Sequence, residues 1–123
     1  MKIGVILTTD DPERLYVAGT YIATELARGN EVVVFITGRA TLAFSKRGKS
    51  EESEPIKKMR ELKVYWDELF KAAKPMGVKC IACETATKIF GVSEEEYDKE
   101  LVDEVSSMYT FLEEVGDGRV VVI

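Results

Sequence analysis

Lys2-Ile3-Gly4-Val5-Ile6-Leu7-Thr8 opens the chain as a nearly unbroken apolar run rich in β-branched residues, the pattern of a strand buried on both faces of a parallel sheet. Asp11 then offers a helix cap and Pro12 a first helical position, and Leu15, Ala18, Ile22 and Leu26 recur at helical spacing until Gly29, so a capped helix is expected to end there. A second apolar run, Glu31 to Thr37, completes a βαβ unit whose crossover should be right-handed. Thr37 to Phe44 reads as a turn with one helical turn, and Ser45 to Ser53 as a mobile polar loop.

Helical spacing returns at Ile56, Met59, Leu62, Trp66, Leu69 and Ala73 and stops at Pro75 and Gly77, predicting one helix of about five turns. Val78 to Ala82 reads as a third strand and Glu84 to Phe90 as a helix-prone run, with Cys83 at their junction. Beyond Gly91, the pair Ser93 and Glu96 has the spacing of a capping box and predicts another helix. A last helix over Ser107 to Val115 and a final strand from Arg119 to Ile123 follow.

Strands alternating with helices, each strand almost wholly apolar, predict an α/β fold: a three-layer, mainly parallel sheet of four to five strands with helices on both faces. With 123 residues and 46% hydrophobic content, one domain spanning 1–123 around a single core is expected. No cationic leader opens the sequence and no run reaches the ~18 apolar residues of a membrane span. Neither a signal peptide nor a membrane span is therefore expected, and the cytoplasm is the expected location.

The net charge of −5 argues against a nucleic-acid surface. The one basic cluster, Lys46-Arg47-Gly48-Lys49, is followed by Glu51-Glu52 and reads as a solvated loop. The chain has no His, no Gln and a single Asn, which excludes His-based triads, Cys–His pairs and His metal sites. Scarce amides beside abundant Glu and Lys also hint at a heat-loving source.

In open α/β sheets ligands bind beyond the carboxyl ends of the strands. Here those ends carry Thr8, Thr9 and Asp10, then Thr37, Gly38 and Arg39, then Cys83, Glu84 and Thr85. Cys83 stands where unpaired N–H groups of a helix start favour a thiolate, so it is a candidate sulfur nucleophile, with a merely packed thiol as the alternative. Glu84 opposes that thiolate, and Lys88, four residues on, can partly neutralise Glu84. Arg39 offers a planar fork for an oxyanion or the terminal sulfur of a persulfide, or is a solvated loop arginine.

Cys80 and Cys83 spell C-x-x-C. In an extended strand their Cα atoms lie ~10 Å apart, beyond the ~7 Å reach of a disulfide, with side chains on opposite faces. That geometry disfavours a redox pair, and two thiolates without His make a poor metal site. Asp10 and Asp11 are either a metal or acid/base pair or, more simply, helix-capping residues. Neither G-x-G-x-x-G nor a Walker loop follows the first strand, so a phosphate-binding loop is not expected there.

With the cysteine placed after the third strand, the chain resembles the DsrE/DsrF-like family of small sulfur-relay proteins, which includes the TusD-type subunits. The resemblance rests on the opening strand and helix, on Gly77-Val78-Lys79-Cys80-Ile81-Ala82-Cys83, on Ile89-Phe90-Gly91-Val92 and on Ser107-Met108-Tyr109-Thr110-Phe111-Leu112. It implies a sulfur carrier or sulfurtransferase in which Cys83 holds a persulfide or thiosulfonate and passes sulfur on, with no organic cofactor. Its partners would be sulfur donor and acceptor proteins or small sulfane-sulfur compounds, and the assembly a homotrimer or homohexamer. Thr8, Thr9, Gly38, Arg39, Glu84 and Thr85 are the expected binding residues around Cys83, by position at the strand ends. Two other readings stay open: a non-catalytic oligomeric scaffold or ligand-binding protein, and a thiol redox protein using both cysteines.

Overall fold

The computed structural model describes residues 1–47 and 52–123. Five parallel strands form one sheet: β1 (Lys2–Leu7), β2 (Glu31–Ile36), β3 (Lys79–Cys83), β4 (Glu104–Ser106) and β5 (Arg119–Val122), in the order β4-β3-β2-β1-β5. The first three steps proceed in one direction across the sheet and the last returns past β1 to the far edge. Right-handed crossovers therefore put the early helices on one face and the last helix on the other. The expected α/β fold with helices on both faces is present.

Alternation along the strands sorts the side chains accordingly. Ile3, Val5, Leu7, Val32, Val34, Ile36, Cys80 and Ala82 point into the larger apolar cluster, together with Leu15, Ala18 and Ile22 of α1 (Pro12–Ala27). Val33, Phe35 and Ile81 face the other way, against Phe111 and Val115 of α6 (Met108–Val115). Each large side chain sealed in this way stabilises the fold by about 1.5–3 kcal/mol. Asp11 caps α1 by accepting from the Glu13 N–H at 3.2 Å, with Pro12 at the first helical position, as the sequence predicts. Ser107 likewise caps α6 through the Thr110 N–H at 3.1 Å.

The expected five-turn helix is instead two, α3 (Glu54–Glu61) and α4 (Trp66–Ala73), which follow the short α2 (Ala40–Ala43). Lys63 at φ 59° ends α3, with the Lys63 N–H bonded to the Arg60 carbonyl and the Val64 N–H to that of Met59, the double bond of a Schellman cap. The break leaves Leu62 62% exposed and buries the neighbours Tyr65 and Trp66, the latter against Phe44 and Phe70. An uninterrupted helix would turn Tyr65 about 100° away from the face that Trp66 occupies.

After α5 (Glu84–Ile89), the helix predicted from Ser93 reduces to one 3₁₀ turn, Glu94–Glu96. The Ser93 N–H does bond the Glu96 carboxylate at 3.0 Å. Tyr97 then turns extended and is drawn into the core, 1% exposed, which stops the helix. Glu104–Ser106 becomes a strand that the pattern did not announce. Its three residues are too few for alternation to show.

The last strand also departs from expectation. β5 is an edge with Val122 63% exposed, not a strand sealed on both faces. It is tied back to α1 by Arg119, whose Nη2 lies 2.6 Å from the buried Glu25 carboxylate. In the expected loop over 45–53, Ser45 bridges Tyr97 and Arg47 pairs with Glu96. Gly48, Lys49, Ser50 and Glu51 lie outside the described residues.

Candidate functional site

Cys83 is the last residue of β3 and the N-cap of α5, at φ −68° and ψ 122°. Its Sγ accepts the Ala86 N–H at 3.4 Å and its carbonyl accepts the Thr87 hydroxyl at 2.7 Å. The thiol is half-buried and, like Ile6, packs against the smaller apolar cluster. In register with Cys83 on β4 stands Ser106, whose Oγ donates to the Thr110 Oγ1 at 2.9 Å in the first turn of α6. The starts of two helices thus flank one half-exposed sulfur.

Beneath this corner lies a buried polar pair. Thr87 Oγ1 and the Tyr97 hydroxyl are 2.6 Å apart. Because the single Thr87 hydroxyl proton goes to the Cys83 carbonyl, Tyr97 is the donor in that contact. Burial pushes the Tyr97 phenol above its ordinary value and keeps its proton in place. Thr41 Oγ1, fully buried, approaches Tyr97 without reaching hydrogen-bonding geometry.

Cys80 sits in a different environment. It is 0% exposed in the larger cluster, and burial pushes its thiol up to about 12. Both cysteines are free, on opposite faces of β3. A disulfide between them would require the strand to unravel.

The remaining predicted residues divide between two places. Glu84 and Thr85 occupy the exposed first turn of α5 beside Cys83. The Glu84–Lys88 ion pair that the spacing permits is not among those formed by the described residues. Thr8 Oγ1 donates to the Ile123 carbonyl at 3.1 Å, tying its loop to the residue after β5, and Thr9 Oγ1 accepts the Asp11 N–H at 3.0 Å within its own loop. Gly38 has φ +54°, and a Cβ there would stand 3.2 Å from the Thr8 carbonyl oxygen, so the close approach of the two loops requires glycine.

Arg39 pairs with Asp10, its Nε and Nη2 lying 3.3 and 3.2 Å from the same carboxylate oxygen. It lines a cavity on the α1 side of the sheet together with Arg47, Arg60, Tyr65 and Trp66. Cys83 does not line that cavity. Sequence reasoning did not find Thr87 and Tyr97 beneath Cys83, or Arg47 and Arg60 beside Arg39. Adjacent Tyr65 and Trp66 were the one local signal, since a single helical face cannot bury both.

A family model described as the DsrE/DsrF-like family matches residues 1–123. No curated protein sequence matches the chain. Among solved structures, the protein of unknown function MTH1491 from Methanobacterium thermoautotrophicum superposes with a TM-score of 0.67 at 12% identity, over 99% of this chain and 98% of that one. The conserved protein of unknown function BT1422 from Bacteroides thetaiotaomicron gives 0.63 at 15% identity, over 99% and 94%. The ychN protein from E. coli gives 0.62 at 20% identity, over the full length of both. At these identities the likeness is one of fold. The match of the family model over the whole sequence shows that the chain belongs to the DsrE/DsrF-like family.

Proposed function

We propose that this member of the DsrE/DsrF-like family is a cytoplasmic sulfur carrier that loads sulfane sulfur on Cys83 and delivers it to a partner. The observation that carries the reading is the placement of Cys83: a half-exposed thiol at the carboxyl end of β3, with the Ala86 N–H donating to its sulfur. Family membership supports it, and no helix among the described residues is long and apolar enough to cross a membrane.

In the loading step the Cys83 thiolate attacks the outer sulfur of a donor persulfide. A new S–S bond forms on Cys83, the donor S–S bond breaks, and the donor leaves as a thiolate. In delivery an acceptor thiolate attacks the terminal sulfur of the Cys83 persulfide, takes that sulfur, and Cys83 departs as the thiolate. Tetrathionate reacts by the same displacement, placing a thiosulfate unit on Cys83 and releasing thiosulfate. Each step is thiolate exchange, so rates follow thiolate fraction and access. Glu84 and Thr85 form the rim that an approaching donor meets.

Assembly into a homotrimer or homohexamer belongs to the same reading. The outer side of α6 and the neighbouring side of β5 expose Tyr109, Leu112, Val120 and Val122, an apolar surface of the kind that marks an interaction site.

The test is intact mass after incubation with tetrathionate or a persulfide donor, on wild type, Cys83→Ser and Cys80→Ser, with light scattering on the same samples. An adduct of sulfur or thiosulfate mass that disappears only in Cys83→Ser is expected, on a particle of trimer or hexamer mass. Absence of adduct in every variant sinks the carrier reading. Loss of two hydrogens that depends on both cysteines points instead to redox chemistry.

A further inference from the structure

We propose that the cavity beyond the carboxyl ends of β1 and β2 is a binding site for a planar organic phosphate, of the chemical class of a nucleoside monophosphate or an aryl phosphate. The site makes no use of Cys83 and stands whether or not that thiol carries sulfur. Three of the six arginines of an acidic chain, Arg39, Arg47 and Arg60, converge from separate segments on one cavity of about 320 Å³. That volume lies within the ordinary range of small-molecule sites.

The charged side is built from forks, not point charges. Arg47 is held by Glu96, with Nε at 2.8 Å and Nη2 at 3.2 Å from its carboxylate oxygens, and by the Phe90 carbonyl at 3.4 Å from Nη1. Arg60 stacks its guanidinium 4.0 Å from the Tyr65 ring centroid and pairs through Nε with the Glu52 carboxylate at 3.1 Å. Among the described residues Arg39 meets only Asp10, through Nε and Nη2, which leaves both N–H groups of Nη1 to a ligand. Guanidinium groups whose orientation is already set lose little freedom when they bind a tetrahedral oxyanion, and their planar geometry suits phosphate. Among the described residues no lysine lines the cavity.

The other side is apolar and aromatic. Tyr65 and Trp66, 8% and 7% exposed, contribute to the wall beside Leu42. Arg60 already covers one face of Tyr65, so the remaining edges of the two rings, with Leu42, give an apolar border for a ligand ring that an inorganic ion would leave wet. Asp10 and Asp67 on the lining oppose a bare polyanion, which favours a ligand with one compact phosphate and a body that fills the rest of the space.

Trp66 is the single tryptophan of the chain and lines this cavity, so its fluorescence reports on the site. The full chain is titrated with AMP, with phenyl phosphate and with inorganic phosphate, as wild type and as Arg39→Gln. Thermal melting confirms that the variant is folded, as expected for a side chain 63% exposed. Saturable change in Trp66 emission with AMP or phenyl phosphate is expected, with affinity weakened about tenfold or more in Arg39→Gln, the loss of one charge-assisted contact. Phenyl phosphate binding without AMP narrows the ligand to small aryl phosphates and supports the site. The proposal is overturned by a linear, non-saturating response to all three, by inorganic phosphate binding as tightly as the organic phosphates, or by equal affinity in the folded Arg39→Gln protein.

Discussion

Cys80 and Cys83 lie three residues apart on one strand and belong to two different chemical worlds. Cys80 points into the face covered by α1, α3 and α4, is 0% exposed, and has a thiol pushed up to about 12. Cys83 points to the face that α6 covers, at the carboxyl end of the strand, with a backbone N–H donating to its sulfur. The odd spacing inverts the side of the sheet, and the helix start replaces a dry wall with polar hydrogen. The layer a side chain enters therefore separates the two thiols, and a C-x-x-C string inside an extended strand sets its sulfurs on opposite faces.

The largest expected contrast is in alkylation. At neutral pH a thiol near 12 is ionised in only about one molecule in 10⁵, so Cys80 should react through opening of the structure alone. Native protein treated with iodoacetamide should take one label on Cys83, and native Cys83→Ser none until guanidinium unfolds it. Rapid labelling of Cys80 in folded Cys83→Ser would erase the distinction between the faces.

Serine exchange is a smaller and more discriminating probe. Cys80→Ser places a hydroxyl in an apolar cluster and should cost about 1–3 kcal/mol in denaturant unfolding. Cys83→Ser puts a favoured cap residue where cysteine now caps α5 and should leave stability unchanged or raise it by about 0.5 kcal/mol. Equal losses at the two positions would contradict the account of Cys83 as a cap at an open end.

The faintest contrast concerns how the edge strand β5 is held to the thicker layer. Burial alone would raise the Glu25 carboxyl, but hydrogen bonds from Tyr21 and Arg119 and the charges of Arg28 and Arg119 outweigh it, and the net shift is downward. A lowered carboxyl contributes stability above its unfolded value and loses it as pH falls through the folded one. Glu25→Gln should therefore melt below wild type at neutral pH, and the gap should close under acid, below about pH 4. A gap independent of pH would assign Glu25 a packing role without charge.

Where the chain spoke through local rules it was legible. The strands β1 to β3, the Asp11 cap, the last helix after Ser107 and the strand-to-helix junction at Cys83 all follow from runs, caps and spacing within a few residues. It was misleading where tertiary contacts overrode a local preference. Lys63 accepts a left-handed backbone so that Tyr65 and Trp66 can both be buried, and Tyr97 abandons a helix with a good capping pair to fill the core.

The candidate site shows the same division. Sequence alone determined that a thiol ends the third strand and caps the next helix, and that its C-x-x-C neighbour faces the other way, because both follow from the pleat and from helix-end chemistry. Only the tertiary structure decided that Thr87 and Tyr97 support the Cys83 peptide, that Arg39 turns to Asp10, and that Arg47 and Arg60 join it around Trp66. Those residues are separated by tens of positions, and their meeting depends on how helices cross the sheet and where a helix breaks. These are outcomes of packing the whole core, which no local pattern in the chain records.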